Sequence, residues 1–253
     1  MSHSIASAED SLLIRELGPS TFQDALTAAE TGRHVLAGGP PATDPAEFDR
    51  LLHLCQRKGV ALVCGGVSRF GRRHRLVREV LSEDRIGEPV FIRYTDPGAD
   101  ATNDWDVAAA IDLANWLLGA TPNAIYAQAV RKSPGEPDSH LSISVTYPNG
   151  ATALVSLGSP AGSPGSPTLM VLGRRGALYD NQASTSQIVL AGDRAKPLSP
   201  EVDDPFAVWL RSVSDSIRSG TVAGDWPDGR LSLELLGMVR ASLASGYVQR
   251  RGL

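Results

Sequence analysis

The sequence predicts an α/β fold in two parts: a short parallel sheet built from βα units, then an α+β region with a large, mostly antiparallel sheet. Three observations carry this. Short apolar runs end in glycine pairs, Val35–Ala37 before Gly38-Gly39 and Val60–Cys64 before Gly65-Gly66, as buried parallel strands end in turns. Helical patterns separate these runs. After Gly87 the pattern changes to closely spaced strand-like runs with hairpin signals. In doubly wound sheets ligands sit at the carboxyl ends of the strands, so a site should lie near Gly38 and Gly39, which carry no side chains for chemistry.

Taken in order, residues 1–10 read as a flexible lead-in and Ser11–Leu17 as a strand. Gly18-Pro19-Ser20-Thr21 opens a helix to Glu30, with Ser20 or Thr21 as its cap and Gly32 as its stop. Thr43-Asp44-Pro45-Ala46-Glu47 predicts a strong helix start: Asp44 caps, Pro45 suits the first position and Glu47 completes a capping box. Phe48, Leu51, Leu52 and Cys55 then recur at helical spacing, and a further helix is predicted over Arg72–Glu83. Pro89–Thr95 reads as a strand, 96–106 as an acidic loop and Val107–Leu118 as a helix. Strands are predicted at Ala124–Val130, Leu141–Tyr147, Ala151–Leu157, Thr168–Leu172, Ala177–Asp180 and Gln187–Leu190. Asn149-Gly150 and Arg175-Gly176 mark turns between them, and residues 158–167 are a Gly/Pro/Ser loop. Helices over Asp204–Ser219 and Arg230–Arg250 close the chain, the last with Leu231, Leu235, Val239, Leu243 and Tyr247 on one face.

The 253 residues suffice for a large core, and the net charge of -4 gives no reason to expect nucleic acid or an anionic membrane as partner. Only Cys55 and Cys64 are present, both in apolar patterns, which fits a reducing compartment and inert thiols. No apolar run approaches the roughly 18 residues of a membrane span, and the N-terminus lacks an apolar signal core, so the expected location is cytoplasmic.

The order of several words resembles the Gfo/Idh/MocA oxidoreductases, the glucose-fructose oxidoreductase and inositol dehydrogenase family. These are Ala28–Pro40 (AAETGRHVLAGGP), Gly59–Phe70 (GVALVCGGVSRF), Ile86-Gly87-Glu88-Pro89, Asp112–Gly119 (DLANWLLG) and Tyr147–Gly150, with similar closing helices. The resemblance implies a partial Rossmann-like domain over 11–86, followed by the family's α+β sheet domain over 87–253. It also implies that the chain starts at the family's fourth strand, without the GxGxxG turn that holds a dinucleotide pyrophosphate or the acid that holds a ribose. Where the family has Glu-Lys-Pro, this sequence has Gly38-Gly39-Pro40. Where it has an Asp and, four residues on, a His, this sequence has Trp105 and Ala109, with Asp106 one position away. Glycine and alanine cannot move a proton.

Candidate groups remain. Arg69, Arg72, Arg73, His74 and Arg75 follow a strand and open a helix, where they could hold a carboxylate or phosphate or simply face solvent. Asp96, Asp100, Asp104 and Asp106 could ligate a hard cation, but no EF-hand pattern accompanies them, and capping or solvated roles are the simpler reading. Trp105 either faces the cleft or fastens the loop to the sheet. His34 and His53 read as structural, and His140 has no partner visible in the sequence. On the geometry that the resemblance implies, the expected site is Asp106, His74 and Tyr94 for catalysis and Arg69, Arg72 and Trp105 for substrate, with no metal. The expected function is a degenerate family homologue that has lost independent NAD(P) hydride transfer and has no cofactor of its own. It would act as a binding or partner subunit, or as a lyase, cyclase or isomerase, on a sugar-like or other small polar metabolite. The alternative is an NAD(P)-dependent oxidoreductase whose cofactor site another chain completes. A homo-oligomer, or a hetero-oligomer with a full-length homologue, is expected, because missing strands would leave an exposed sheet edge.

Overall fold

A computed structural model describes residues 11–16, 18–131, 133, 138–159, 165–181, 187–191, 194–198, 204–220 and 228–252. The lead-in over 1–10 and most of the Gly/Pro/Ser loop lie outside them. The elements are β1 (Ser11–Ile14), α1 (Thr21–Glu30), β2 (His34–Ala37), α2 (Pro45–Lys58), β3 (Leu62–Cys64), a 3-10 turn (Val67–Phe70), α3 (Arg72–Ser82), β4 (Pro89–Asp96) and α4 (Asp104–Leu118). There follow β5 (Ala124–Arg131), β6 (Asp138–Thr146), β7 (Thr152–Leu157), β8 (Thr168–Gly173), β9 (Gly176–Asn181), β10 (Gln187–Ala191), β11 (Arg194–Leu198), α5 (Pro205–Arg218), α6 (Gly229–Ser245) and β12 (Gln249–Arg250). They fall into two compact units, Met1–Phe70 with Asp204–Leu235, and Gly71–Asp203 with Leu236–Leu253.

The first unit holds a three-stranded parallel sheet in the order β1-β2-β3. Its helices form where capping chemistry starts them. Asp44 accepts from the Ala46 and Glu47 amides at 2.8 and 3.0 Å. The Glu47 carboxylate reaches past the cap to Thr43, whose amide and hydroxyl both donate to it. At α1 the expected cap is absent: Ser20 already has near-helical backbone angles, and its hydroxyl donates to Asp24 instead of accepting from a helix amide. Helix α5 buries Trp209 and Val213 against Leu36, Ala61 and Val63, and the Trp209 indole donates to the Gly65 carbonyl at 3.1 Å.

The second unit holds a nine-stranded sheet in the order β11-β10-β9-β8-β4-β7-β6-β5-β12. Within this sheet, among the described strands, only β4 and β7 pair in parallel. Alternation sets its faces: Leu141, Ile143 and Val145 of β6, with Ala153, Val155 and Leu157 of β7, are buried on one. His140, Ser142 and Ser144, with Thr152, Leu154 and Ser156, stand on the other. Tyr147 is 1% exposed and donates to Asn115 of α4 at 2.8 Å, tying that helix to the buried face.

Several elements differ from the sequence expectation, beginning with β1, which ends at Ile14 rather than Leu17. Helix α4 starts at Asp104 because Asn103 caps it, accepting from the Trp105 amide at 2.9 Å; the acids read as loop are partly its first turn, where the helix dipole favours them. Helix α6 ends at Ser245, before Gly246 with its φ of 73°, and β12 replaces its expected last turn. The expected apolar stripe of α6 drifts, since each four-residue step overshoots a 3.6-residue turn by about 40°. Leu235 and Val239 are buried, yet Leu243 is 37% and Tyr247 75% exposed. Strand β11 carries Pro197, which an edge strand tolerates. The Asn149-Gly150 turn has a three-residue loop, with Tyr147 bonded to Ala151 and Gly150 at φ 82°.

Candidate functional site

In the second unit a polar cluster lies on the helix-covered face, at the carboxyl end of β4. Cross-strand register puts Tyr94, Leu169 and Asp180 in one row on that face. The Tyr94 hydroxyl donates to Asp96 Oδ2 at 3.2 Å. Asp180, 2% exposed, is gripped by the Arg73 guanidinium, which also donates to the Asn181 carbonyl. His74, one residue further along α3, meets the Tyr94 ring edge-on with centroids 6.5 Å apart. From the first turn of α4, Asp106 accepts from the Asp100 amide at 2.9 Å.

The electrostatics of the cluster favour its protonated forms. Burial pushes the Asp106 carboxyl above its usual range, and the charges of Asp100 and Asp96 add to this, while the Asp100 amide pulls the other way. Burial, then the charge and hydrogen bond of Asp96, then Asp106 and Asp180, hold the Tyr94 phenol well above its ordinary value. Tyr94 is thus a neutral hydrogen-bond donor, and Asp106 holds its proton more tightly than an ordinary aspartate.

Five of the six expected site residues, Tyr94, His74, Asp106, Trp105 and Arg72, fall in this one unit. Trp105, 8% exposed, precedes Asp106 on α4, and Ala109 lies one turn further on. Arg72 is exposed at the start of α3. Arg69 lies in the 3-10 turn of the other unit, its amide donating to the Gly66 carbonyl. Sequence reasoning missed Asp180, although an acid at an inward position of the strand pattern Leu178–Asp180 was a usable signal. The acidic residues act as turn-formers and pairs. Asp96 Oδ1 accepts from the Gly98 amide, Asp100 from the Thr102 amide and hydroxyl, and Asp104 pairs with Arg240. Among the described residues no group of His, Cys, Asp and Glu is arranged to hold a metal ion. In α2, burial pushes the Cys55 thiol up from 9.0 to about 11, so it is protonated at neutral pH.

Neither the start of α1 nor that of α2 offers open amides to a pyrophosphate. A pyrophosphate needs open amides at a helix start after a strand. After β1, the Gly18 amide is bonded to Thr21 Oγ1 and the first turn of α1 carries the acid Asp24. After β2, the amides of α2 are taken by Asp44. No glycine-rich GxGxxG turn occurs in the sequence. Among the described residues no helix is long and apolar enough to cross a membrane.

Residues 74–179 match the model of the GFO/IDH/MocA C-terminal domain. The myo-inositol 2-dehydrogenase of Thermotoga maritima is 22% identical over 238 residues, covering 83% of this chain and 70% of that protein. The aldose-aldose oxidoreductase of Caulobacter crescentus, crystallised with glycerol, shares the fold with a TM-score of 0.76 at 20% identity, over 94% of this chain and 79% of its own. A 3-ketoreductase from Actinomadura kijaniata, in complex with NADP and TDP-benzene, superposes with a TM-score of 0.78 at 21% identity, over 92% and 78%.

Proposed function

The chain belongs to the Gfo/Idh/MocA oxidoreductase family, and from that premise we propose that it is an NAD(P)-dependent oxidoreductase subunit whose cofactor site another chain completes. Its substrate is a sugar-like or other small polar metabolite. The observation that carries this reading is the extent of the likeness to a reductase holding NADP, 92% of this chain, in a sequence that has no dinucleotide loop. The nucleotide's phosphates are then held by residues this sequence lacks.

In this reading Asp106 exchanges the proton of a substrate hydroxyl, one helical turn before Ala109, where the family carries its histidine. The Tyr94 hydroxyl, whose proton goes to Asp96, accepts a hydrogen bond from a substrate hydroxyl, and His74 meets the Tyr94 ring edge-on. Arg72 and Trp105 line the substrate's approach in this unit. Arg69, in the other unit, serves as an anion-binding side chain there.

NADH and NADPH fluorescence titrations test the reading, run on the isolated chain and on the complex purified under native conditions, whose mass is measured. The isolated chain should show no saturable binding, whereas the complex should contain a second polypeptide bearing GxGxxG and bind with a micromolar Kd. A homo-oligomer that binds no nucleotide would remove the reading. Gly38, Gly39 and Ala109 favour a second one in that case: a binding subunit or a lyase, cyclase or isomerase, using the same cluster without hydride transfer.

A further inference from the structure

Helix α3 begins without the usual means of starting a helix. Its N-cap is Gly71, which has no side chain to accept from the first amides, and its first turn carries no acid. It carries Arg72, Arg73 and Arg75 instead, cations where the helix dipole favours anions. Yet this turn also carries buried His74, whose ring meets Tyr94 edge-on at an interplanar angle of 76°. A contact from outside the helix is needed to hold the turn in place.

That contact comes from β9. The Asp180 side chain is fully buried, and the Arg73 guanidinium meets its carboxylate with two nitrogens, Nη2 on Oδ1 and Nε on Oδ2 at 3.3 Å. Nη2 also donates to the Asn181 carbonyl at 3.1 Å. Such a forked pair fixes direction as well as distance. With Arg73 pinned to β9, the backbone of the next residue, His74, is pinned with it. Asp180 and Tyr94 belong to the same row of the sheet, with β8 between their strands. The sheet therefore places Tyr94 directly and, through Asp180, the helix turn that brings His74 against it. We propose that Asp180 is a positioning residue for this site: by anchoring Arg73 it holds His74 edge-on to Tyr94, and so sets where the Tyr94 hydroxyl stands for the substrate. The inference rests on the reading of that hydroxyl as the acceptor of a substrate hydrogen bond.

Nuclear magnetic resonance of the full chain tests it, because an aromatic ring displaces the signals of protons beside it. His74→Gln identifies the His74 ring signals by their loss, and Tyr94→Leu gives their position without the neighbouring ring. In Asp180→Asn, which keeps the shape of the side chain but not its charge, the His74 signals should move most of the way to their Tyr94→Leu position. The amide signals of Ile143 and Val155, buried in β6 and β7, should stay in place. The double variant Arg73→Gln, Asp180→Asn leaves no buried charge unpaired. It should show the same displacement, and it carries the test if Asp180→Asn does not fold. A residue that only stabilises the fold would lower the unfolding midpoint and leave the His74 signals of the folded chain unmoved; that result in either variant overturns the proposal. The signals are read on the chain without nucleotide or partner, so they can stay unmoved while nucleotide titration of the native complex succeeds, and the reverse.

Discussion

Asp106 is the residue whose ionisation costs the fold most plainly. Its folded carboxyl is held above its ordinary value by burial, so the unfolded chain ionises first as pH rises. Below its unfolded value both states are protonated and the residue contributes nothing; stability is then lost as pH climbs through the unfolded value to the folded one. Asp106→Asn keeps an acceptor for the Asp100 amide without a charge. It should therefore raise the thermal midpoint at pH 7, by an amount that vanishes near pH 3, while turnover of the native complex falls. A variant that is less stable at pH 7 would contradict the burial argument. Tyr94, His74 and Asp106 were nameable from sequence because each falls at the edge of a recognisable strand or helix. Their meeting with Asp180 was not, because strand β9 joins β4 only through β8.

Among the elements, α6 and β5 show how a single hydroxyl replaces a missing length of strand. β12 covers only Ala124 and Ile125 of β5, which leaves the Ala127 amide beyond its end. Ser242 of α6, fully buried, accepts from that amide at 2.9 Å and donates to the Tyr247 carbonyl at 2.9 Å. Ser242→Ala strands both groups and should cost about 1–3 kcal/mol in a urea titration, with faster hydrogen exchange at Ala127. Most strands and helices were legible because alternation and caps are local signals, Asp44-Pro45 being the clearest. The start of α4 was misjudged because capping by Asn103 outweighs a run of acids. The place of β4 between β7 and β8 depends on pairings far apart in the chain, on which no local signal bears.

At the scale of the molecule, the two-part α/β layout followed from the glycine-ended runs and the later hairpins. That the first unit draws in residues 204–235 did not, since Trp209 is an ordinary member of an amphipathic helix until it is seen in the core. It is fully buried, and Trp209→Ala should destabilise the first unit by about 3–5 kcal/mol, read as lost amide protection at Val35 and Leu36. Unchanged protection there would mean that β2 does not depend on α5. The same arrangement bears on synthesis. A nascent chain on the ribosome makes β1, β2 and β3 more than 140 residues before the tryptophan that seals them, so this small sheet must wait, exposed to chaperones and proteases, until Trp209 has emerged.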